Sequence, residues 1–160
     1  MIKKLTIPVD HGNRNMKTAH FLFTTGLSST DRKPAGREDF LQTEGKYYVL
    51  SGRRIPYQRD KTQDERFSIL TKFAIAKELE RTGQVTEEDV VQVSLPIGVP
   101  PKHYAELAER YREYFLGDGK VQELVYNGKT YHTCIRDVAV YPQAYAAMMT
   151  EGEKIRQIPK

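Results

Sequence analysis

Apolar positions in this chain recur at two spacings, and each spacing predicts its own kind of element. Leu5-Thr6-Ile7-Pro8-Val9 and Ala19-His20-Phe21-Leu22-Phe23 predict two strands, over 4–10 and 17–25, around a polar turn. Residues 26–37 show little periodicity and read as a loop. Residues 39–43 and 46–50 flank Glu44-Gly45, which predicts a hairpin that Gly52 to Pro56 end. Residues 57–65 are polar and read as a mobile segment. Phe67, Leu70, Phe73, Ala74 and Ala76 then predict a helix over 65–82, stopped by Gly83. Val90 to Leu95 predicts a short buried strand, ended by Pro96 and the Gly98-Val99-Pro100-Pro101 stretch. Tyr104, Leu107, Ala108, Tyr111 and Phe115 predict a second helix over 101–115, with Gly117 at its end. Residues 120–126 and 129–140 alternate around Asn127-Gly128, a strong hairpin signal. Pro142 suits the start of a last helix over 143–150. This mixing of strands and helices predicts helices packed on a sheet, not a bundle or a sandwich.

Composition narrows the class. At 160 residues, 39% of them apolar and 29% charged, the chain suits one soluble globular domain. No apolar run approaches the ~20 residues of a membrane span. Met1-Ile2-Lys3-Lys4 leads into a run broken by Pro8 and Asp10, unlike a signal peptide. A single cysteine, Cys134, cannot form an internal disulfide, so a reducing, cytoplasmic compartment is expected. The net charge of +4 is uneven. Residues 1–61 carry 12 Lys/Arg against 6 Asp/Glu, and residues 62–160 carry 13 against 15. A basic first third suits phosphate, nucleic acid or an acidic partner, and equally an ordinary solvated face.

Chemistry concentrates in Asp10-His11-Gly12-Asn13-Arg14-Asn15-Met16-Lys17. Backbone N–H groups in a Gly/Asn-rich turn can form an anion-binding nest. Gly12 has no side chain to keep a ligand from the backbone. Asn13 and Asn15 tolerate left-handed geometry and donate from their amides. Lys17 can set a point charge against phosphate, and Asp10, at a strand end, suits the water shell of a magnesium ion. Read as composition only, the same residues also make a common polar hairpin with an exposed lysine. Both readings stand at this level.

The octapeptide resembles the first phosphate loop of the actin/Hsp70/sugar-kinase ATPases. It looks most like the bacterial actin-like proteins that segregate plasmids, the ParM type. Val93-Ser94-Leu95-Pro96-Ile97, followed by Tyr104 and a charged amphipathic helix, resembles that family's Leu-Pro strand and helix. Asp137-Val138-Ala139-Val140-Tyr141-Pro142-Gln143-Ala144 is similar to the strand and helix start that end the family's first domain. The resemblance implies an α/β fold: an actin-like, ribonuclease-H-like domain over 1–150 with a mixed sheet and helices on it. It also implies a small hairpin subdomain inserted at about 32–61.

The resemblance implies roles too. Asp10 would hold the metal's water shell. Gly12, Asn13, Arg14 and Asn15 would line the β- and γ-phosphates, and Lys17 would contact phosphate. Gln143 would orient the attacking water, a job suited to an amide. His11 and Arg14 are bulkier than the residues common in this loop. ATP or GTP with Mg2+ is the implied cofactor of a filament-forming ATPase acting in plasmid or phage DNA segregation. The implied partners are a second domain, further copies of the protein and a DNA-binding adaptor, with no membrane. Nothing here matches the family's second Asp-Gly loop or its adenosine segment. Residues 151–160 therefore read as the approach to a domain beyond this chain, which by itself is expected to bind ATP weakly and turn over little.

Two other classes compete. Arg53, Arg54, Arg59 and Lys61 with Tyr47, Tyr48 and Tyr57 mix charge with stackable rings, as in a nucleic-acid-binding module. A ribonuclease-H-like nuclease would need several carboxylates on paired metals, and Asp137 is the one tempting companion for Asp10. His11, His20, His103, His132 and Cys134 have no metal-ligand spacing. Cys134 reads as a small buried apolar residue.

Overall fold

A computed structural model describes residues 1–35, 39–58 and 60–142. The order is β1 (Ile2–Thr6), β2 (Asp10–His11), β3 (Asn15–Lys17), β4 (Leu22–Thr24), β5 (Leu27–Thr30), β6 (Phe40–Thr43) and β7 (Lys46–Leu50). Then come α1 (Arg66–Thr82), β8 (Val90–Val99), a 3-10 turn (Pro101–His103), α2 (Tyr104–Leu116), β9 (Gln122–Tyr126) and β10 (Lys129–Pro142). The main sheet runs β1-β8-β10-β9-β6-β7-β5, and β2-β3-β4 form a second, small sheet. The expected mixed sheet with helices packed on it is therefore present. The helix expected over 143–150 lies outside the described residues.

Three parallel strands, β1, β8 and β10, make the heart of the main sheet. Val91, Val93, Leu95, Ile97 and Val99 of β8 are buried, as befits a strand with neighbours on both sides. Pro96 does not end this strand, contrary to expectation. Its carbonyl accepts from Val9 N–H at 3.0 Å, so its amide side also faces β1. The missing N–H interrupts only that ladder. β1 accordingly ends at Thr6 and pairing resumes as a single bridge between Val9 and Ile97, while β8–β10 pairing runs unbroken through Pro96 and Gly98. Pro8 is harmless for the complementary reason. Ile7 and Val9 donate to β8, which leaves the position of the Pro8 nitrogen facing the open edge.

The expected strand over 17–25 is two strands. Its break is a turn in which Thr18 N–H donates to Phe21 O at 2.9 Å and the Thr18 hydroxyl accepts from Phe21 N–H at 3.1 Å. The expected loop over 26–37 contains β5, which pairs with β7 at the sheet margin. Alternation is weak there because β5 has three exposed residues of four. The hairpin over 40–50 is joined to the main sheet through Leu41 and Gln42, which pair with β9. The Asn127-Gly128 hairpin forms as expected, and β10 carries a bulge between Ile135 and Asp137. Its alternation buries Tyr131 and Thr133 and leaves Cys134 half-buried rather than in the core.

α1 lies in the core almost all round, with Phe67, Leu70, Phe73, Ala74 and Leu79 at or below 2% exposure. Each large apolar side chain so buried contributes about 1.5–3 kcal/mol. Gly83 ends the helix in the left-handed region, its N–H reaching Leu79 O. α2 presents Leu107, Tyr111 and Phe115 to the core. Tyr114 ties the two helices, its hydroxyl accepting from Ser68 N–H at 3.0 Å and donating to Asp64 O at 2.5 Å.

Candidate phosphate site

β1, β8 and β10 are parallel, so their carboxyl ends share one edge of the sheet. Open α/β sheets bind ligands beyond such ends. Here Val9 sits level with Ile97, and the chain then leaves the sheet as the β2–β3 hairpin. Asp10 stands opposite Lys17, and His11 opposite Met16. Directly opposed residues share a face, and successive residues alternate. Asp10 and Lys17 therefore share one face, and His11 and Met16 the other. That other face is buried, with Met16 at 0% and His11 at 2% exposure.

His11 thus faces away from any phosphate. Its Nε2 is 2.7 Å from Thr71 Oγ1, and its ring packs at a tilt of 36° against Phe115, 4.6 Å between centroids. Burial, and then the nearby Lys61 charge, push the imidazole down to about 3. The bulk that sets His11 apart from its loop is a core plug. Arg14 is exposed, as is Asn13.

The turn is shaped by a residue outside it. Fully buried Thr25 donates its N–H to Arg14 O and its hydroxyl to Gly12 O, both at 2.8 Å. In a trans peptide the carbonyl and the next N–H point in opposite directions. The N–H groups of Asn13 and Asn15 therefore point away from Thr25. Ile55 N–H closes the brace on Thr25 O at 2.7 Å. Gly12 has a stricter reason to be glycine than access for a ligand. A Cβ there would meet Asn15 O at 2.4 Å.

The far end of the small sheet is clamped to α1. Glu78 accepts the Thr18 hydroxyl at 2.6 Å and His20 N–H at 3.2 Å, and its Oε1 is 2.8 Å from His20 Nδ1. Burial works to raise the Glu78 carboxyl, but the Thr18 and His20 bonds, the His20 charge and a bond from Arg81 hold it below its usual value. Lys77 fills a cage of Phe21, Phe23 and Tyr126, 5.5–5.7 Å from the three centroids.

Asp10, Gly12, Asn13, Arg14, Asn15 and Lys17 are thus brought together at the carboxyl edge. Turn N–H groups, a carboxylate and an ammonium fit a phosphate group and its metal ion. Gln143 lies outside the described residues; Pro142 before it pairs with Val99 at the same edge. Residue reading missed Thr25, and it placed Lys61 on an exposed nucleic-acid platform, not in the core. Nothing local marks Lys61, which sits in the segment expected to be polar and mobile and is only 3% exposed.

The competing constellations come apart. Tyr48 is buried with Lys61, which removes a ring and a cation from the supposed nucleic-acid platform, while Arg59 lies outside the described residues. Asp137 is level with Ser94 and bonded to its hydroxyl at 3.2 Å. Asp10 lies beyond the level of Ile97, so the two residues stand roughly 13 Å apart along the strand direction. Among the described residues no group of three or more His, Cys, Asp or Glu is placed to hold a metal. No described helix is long and apolar enough to cross a membrane.

Comparison with known proteins bears on the family and the fold. The family described as the N-terminal domain of actin-like proteins matches residues 8–145. The apo psk41 ParM protein superposes with a TM-score of 0.68 at 14% identity, over 89% of this chain and 50% of that one. An AlfA filament bound to AMPPNP gives 0.64 at 17%, over 87% and 54%. An archaeal actin homolog gives 0.63 at 18%, over 86% and 45%. The chain spans about half the length of these structures. No curated protein sequence matches it.

Proposed function

The chain belongs to the actin-like proteins, as their N-terminal domain, and from that premise we propose that it is one jaw of a nucleotide cleft in a filament-forming ATPase. The observation that carries this reading is the hairpin Asp10–Lys17 at the carboxyl edge of three parallel strands, with its turn N–H groups directed away from Thr25. Mg-ATP, or Mg-GTP, supplies the transferable phosphoryl group and the metal charge that balances it. Asp10 holds the metal's water shell. Asn13 and Asn15 donate to phosphate oxygens from the backbone, Gly12 and Arg14 line the same turn, and Lys17 offsets negative charge. Gln143, next along from Pro142, orients the attacking water. A second domain supplies the opposing jaw and the nucleoside contacts.

The cellular role that fits is segregation of plasmid or phage DNA in the cytoplasm, through self-assembly and a DNA-binding adaptor. Support for it comes from the family and from likeness in fold to ParM and AlfA structures. One jaw offers phosphate contacts without a closed site, so the 160-residue chain binds weakly and turns over little. Titration of the isotopically labelled chain with Mg-AMPPNP, followed by amide NMR, tests this. Shifts confined to residues 10–17 and saturating only at millimolar nucleotide are expected. Micromolar binding by calorimetry, or shifts centred elsewhere, would overturn the one-jaw reading.

A further inference from the structure

β1 is the last strand on its side of the main sheet, and among the described residues no strand pairs with its outer edge. Ile7 and Val9 N–H donate to β8, and Met1 O accepts from Val90 N–H, so the odd-numbered residues turn their backbone inward. Ile2, Lys4 and Thr6 therefore turn theirs outward, and all three are exposed. Pro8 closes the row, because it has no N–H to offer. Such an edge is a template for one more strand.

Beside it lies a pocket of about 160 Å3 between β1 and the end of α1, with an apolar wall of Leu5, Ile7, Ala19 and Leu79. That volume is below the roughly 300 Å3 at which small-molecule sites begin, and suits a single side chain. Leu5 and Ile7 put the pocket on the α1 face, so a residue of an added strand opposite Leu5 points into it. The next residue of that strand falls opposite Lys4, on the other face.

The charges around the edge are uneven. Lys4 is exposed at its middle, and Arg81 and His20 are exposed at the pocket rim. The nearby carboxylates are already engaged, Glu78 by Thr18, His20 and Arg81, and Asp89 by Lys3 at 3.1 Å. Asp137, bonded to the Ser94 hydroxyl, stands two strands in from the edge.

We propose that the free edge of β1 is a docking site for an extended acidic segment of a partner protein, added as a further strand. A large apolar side chain of that segment fills the pocket, and a carboxylate on the adjacent residue faces Lys4. Backbone pairing supplies the affinity, and the pocket and Lys4 supply the selection. A second copy of this chain does not fit, because antiparallel pairing of two such edges sets Lys4 against Lys4, and like charges directly opposite destabilise a pair.

The test uses the whole 160-residue chain and a capped octapeptide of alternating glutamate and leucine, read by amide hydrogen exchange. In the free chain the Lys4 and Thr6 amides should exchange far faster than those of Leu5 and Ile7. Peptide at about ten times its Kd should slow Lys4 and Thr6 about tenfold and leave Leu5 and Ile7 unchanged. Lysine in place of glutamate should weaken binding about fivefold, and alanine in place of leucine about tenfold. Lys4→Glu, a change at an exposed position, should remove the preference for glutamate. Fast exchange of Lys4 and Thr6 retained at millimolar peptide would make β1 a guarded edge and overturn the site. Slow exchange of both in the free chain would show the edge already covered, and would overturn it too. Equal binding of the glutamate and lysine peptides would refute the acidic partner. Slowing of the same amides with rising protein concentration alone would assign the edge to a second copy instead.

Discussion

Two kinds of tight turn in this molecule use glycine for opposite reasons. At Glu44-Gly45 and Asn127-Gly128 both central residues have positive φ, 50° and 78° in the first and 50° and 81° in the second. These are two-residue hairpin loops whose twist matches the strands they join. A Cβ on Gly45 or Gly128 would meet nothing within 4 Å. There glycine supplies a conformation. At the phosphate hairpin it supplies room. Gly12, and Gly26 next to the brace Thr25, have no positive φ, but a Cβ would meet Asn15 O at 2.4 Å in one case and Ser51 O at 2.3 Å in the other. Conformational glycines make regular hairpins that any sheet could use. Spatial glycines make a turn that exists only because Thr25 and the segment through Ile55 close on it.

The contrast can be broken most severely at Gly26. Gly26→Ala sets a methyl between Ser51 O and Arg53 O, and unfolding by urea should show a loss of about 3 kcal/mol or more. Next comes the plug that seats the hairpin, His11. Its imidazole titrates near 3 in the folded chain and near 6.5 unfolded, so the unfolded state binds more protons between those values. Stability is therefore complete above about 6.5 and falls as pH drops toward 3. Between pH 7.5 and 4.5 thermal melts should lose about 2–3 kcal/mol to this residue, and His11→Gln should flatten the profile in that window.

Gly12→Ala should cost about 2 kcal/mol and also erase the AMPPNP-dependent amide shifts of residues 10–17, since Asn15 O must move. The conformational glycines should be milder. Gly45→Ala should cost about 1 kcal/mol in urea unfolding and leave those shifts untouched. Equal costs at Gly12 and Gly45, with the shifts retained in both, would erase the distinction between the two turns.

Legibility in the sequence follows the same division. Gly83 stops α1 where the periodicity ends, and the Glu44-Gly45 and Asn127-Gly128 hairpins form where the alternation places them, because dihedral preference and side-chain period are local properties. The octapeptide at 10–17 was legible as a motif and its family resemblance is met by the match over 8–145. Pro96 was misleading because a proline's cost depends on which neighbour its nitrogen faces, and only the strand order β1-β8-β10 states that. β5 was silent because an edge strand needs little alternation.

By itself, then, the sequence determined the hairpin turns with positive φ, the amphipathic helices and the polar residues available to a phosphate. The tertiary structure decided which face of the hairpin those residues occupy. It sent His11 into the core, placed Thr25 behind the turn and buried Lys61 against Phe67 and Tyr111. The physical reason is range. Backbone preference and periodicity act over a few residues, whereas burial, crowding and charge compensation depend on partners that only the fold brings into contact, as it does for Thr25 with Gly12 and for Lys61 with Phe67 and Tyr111.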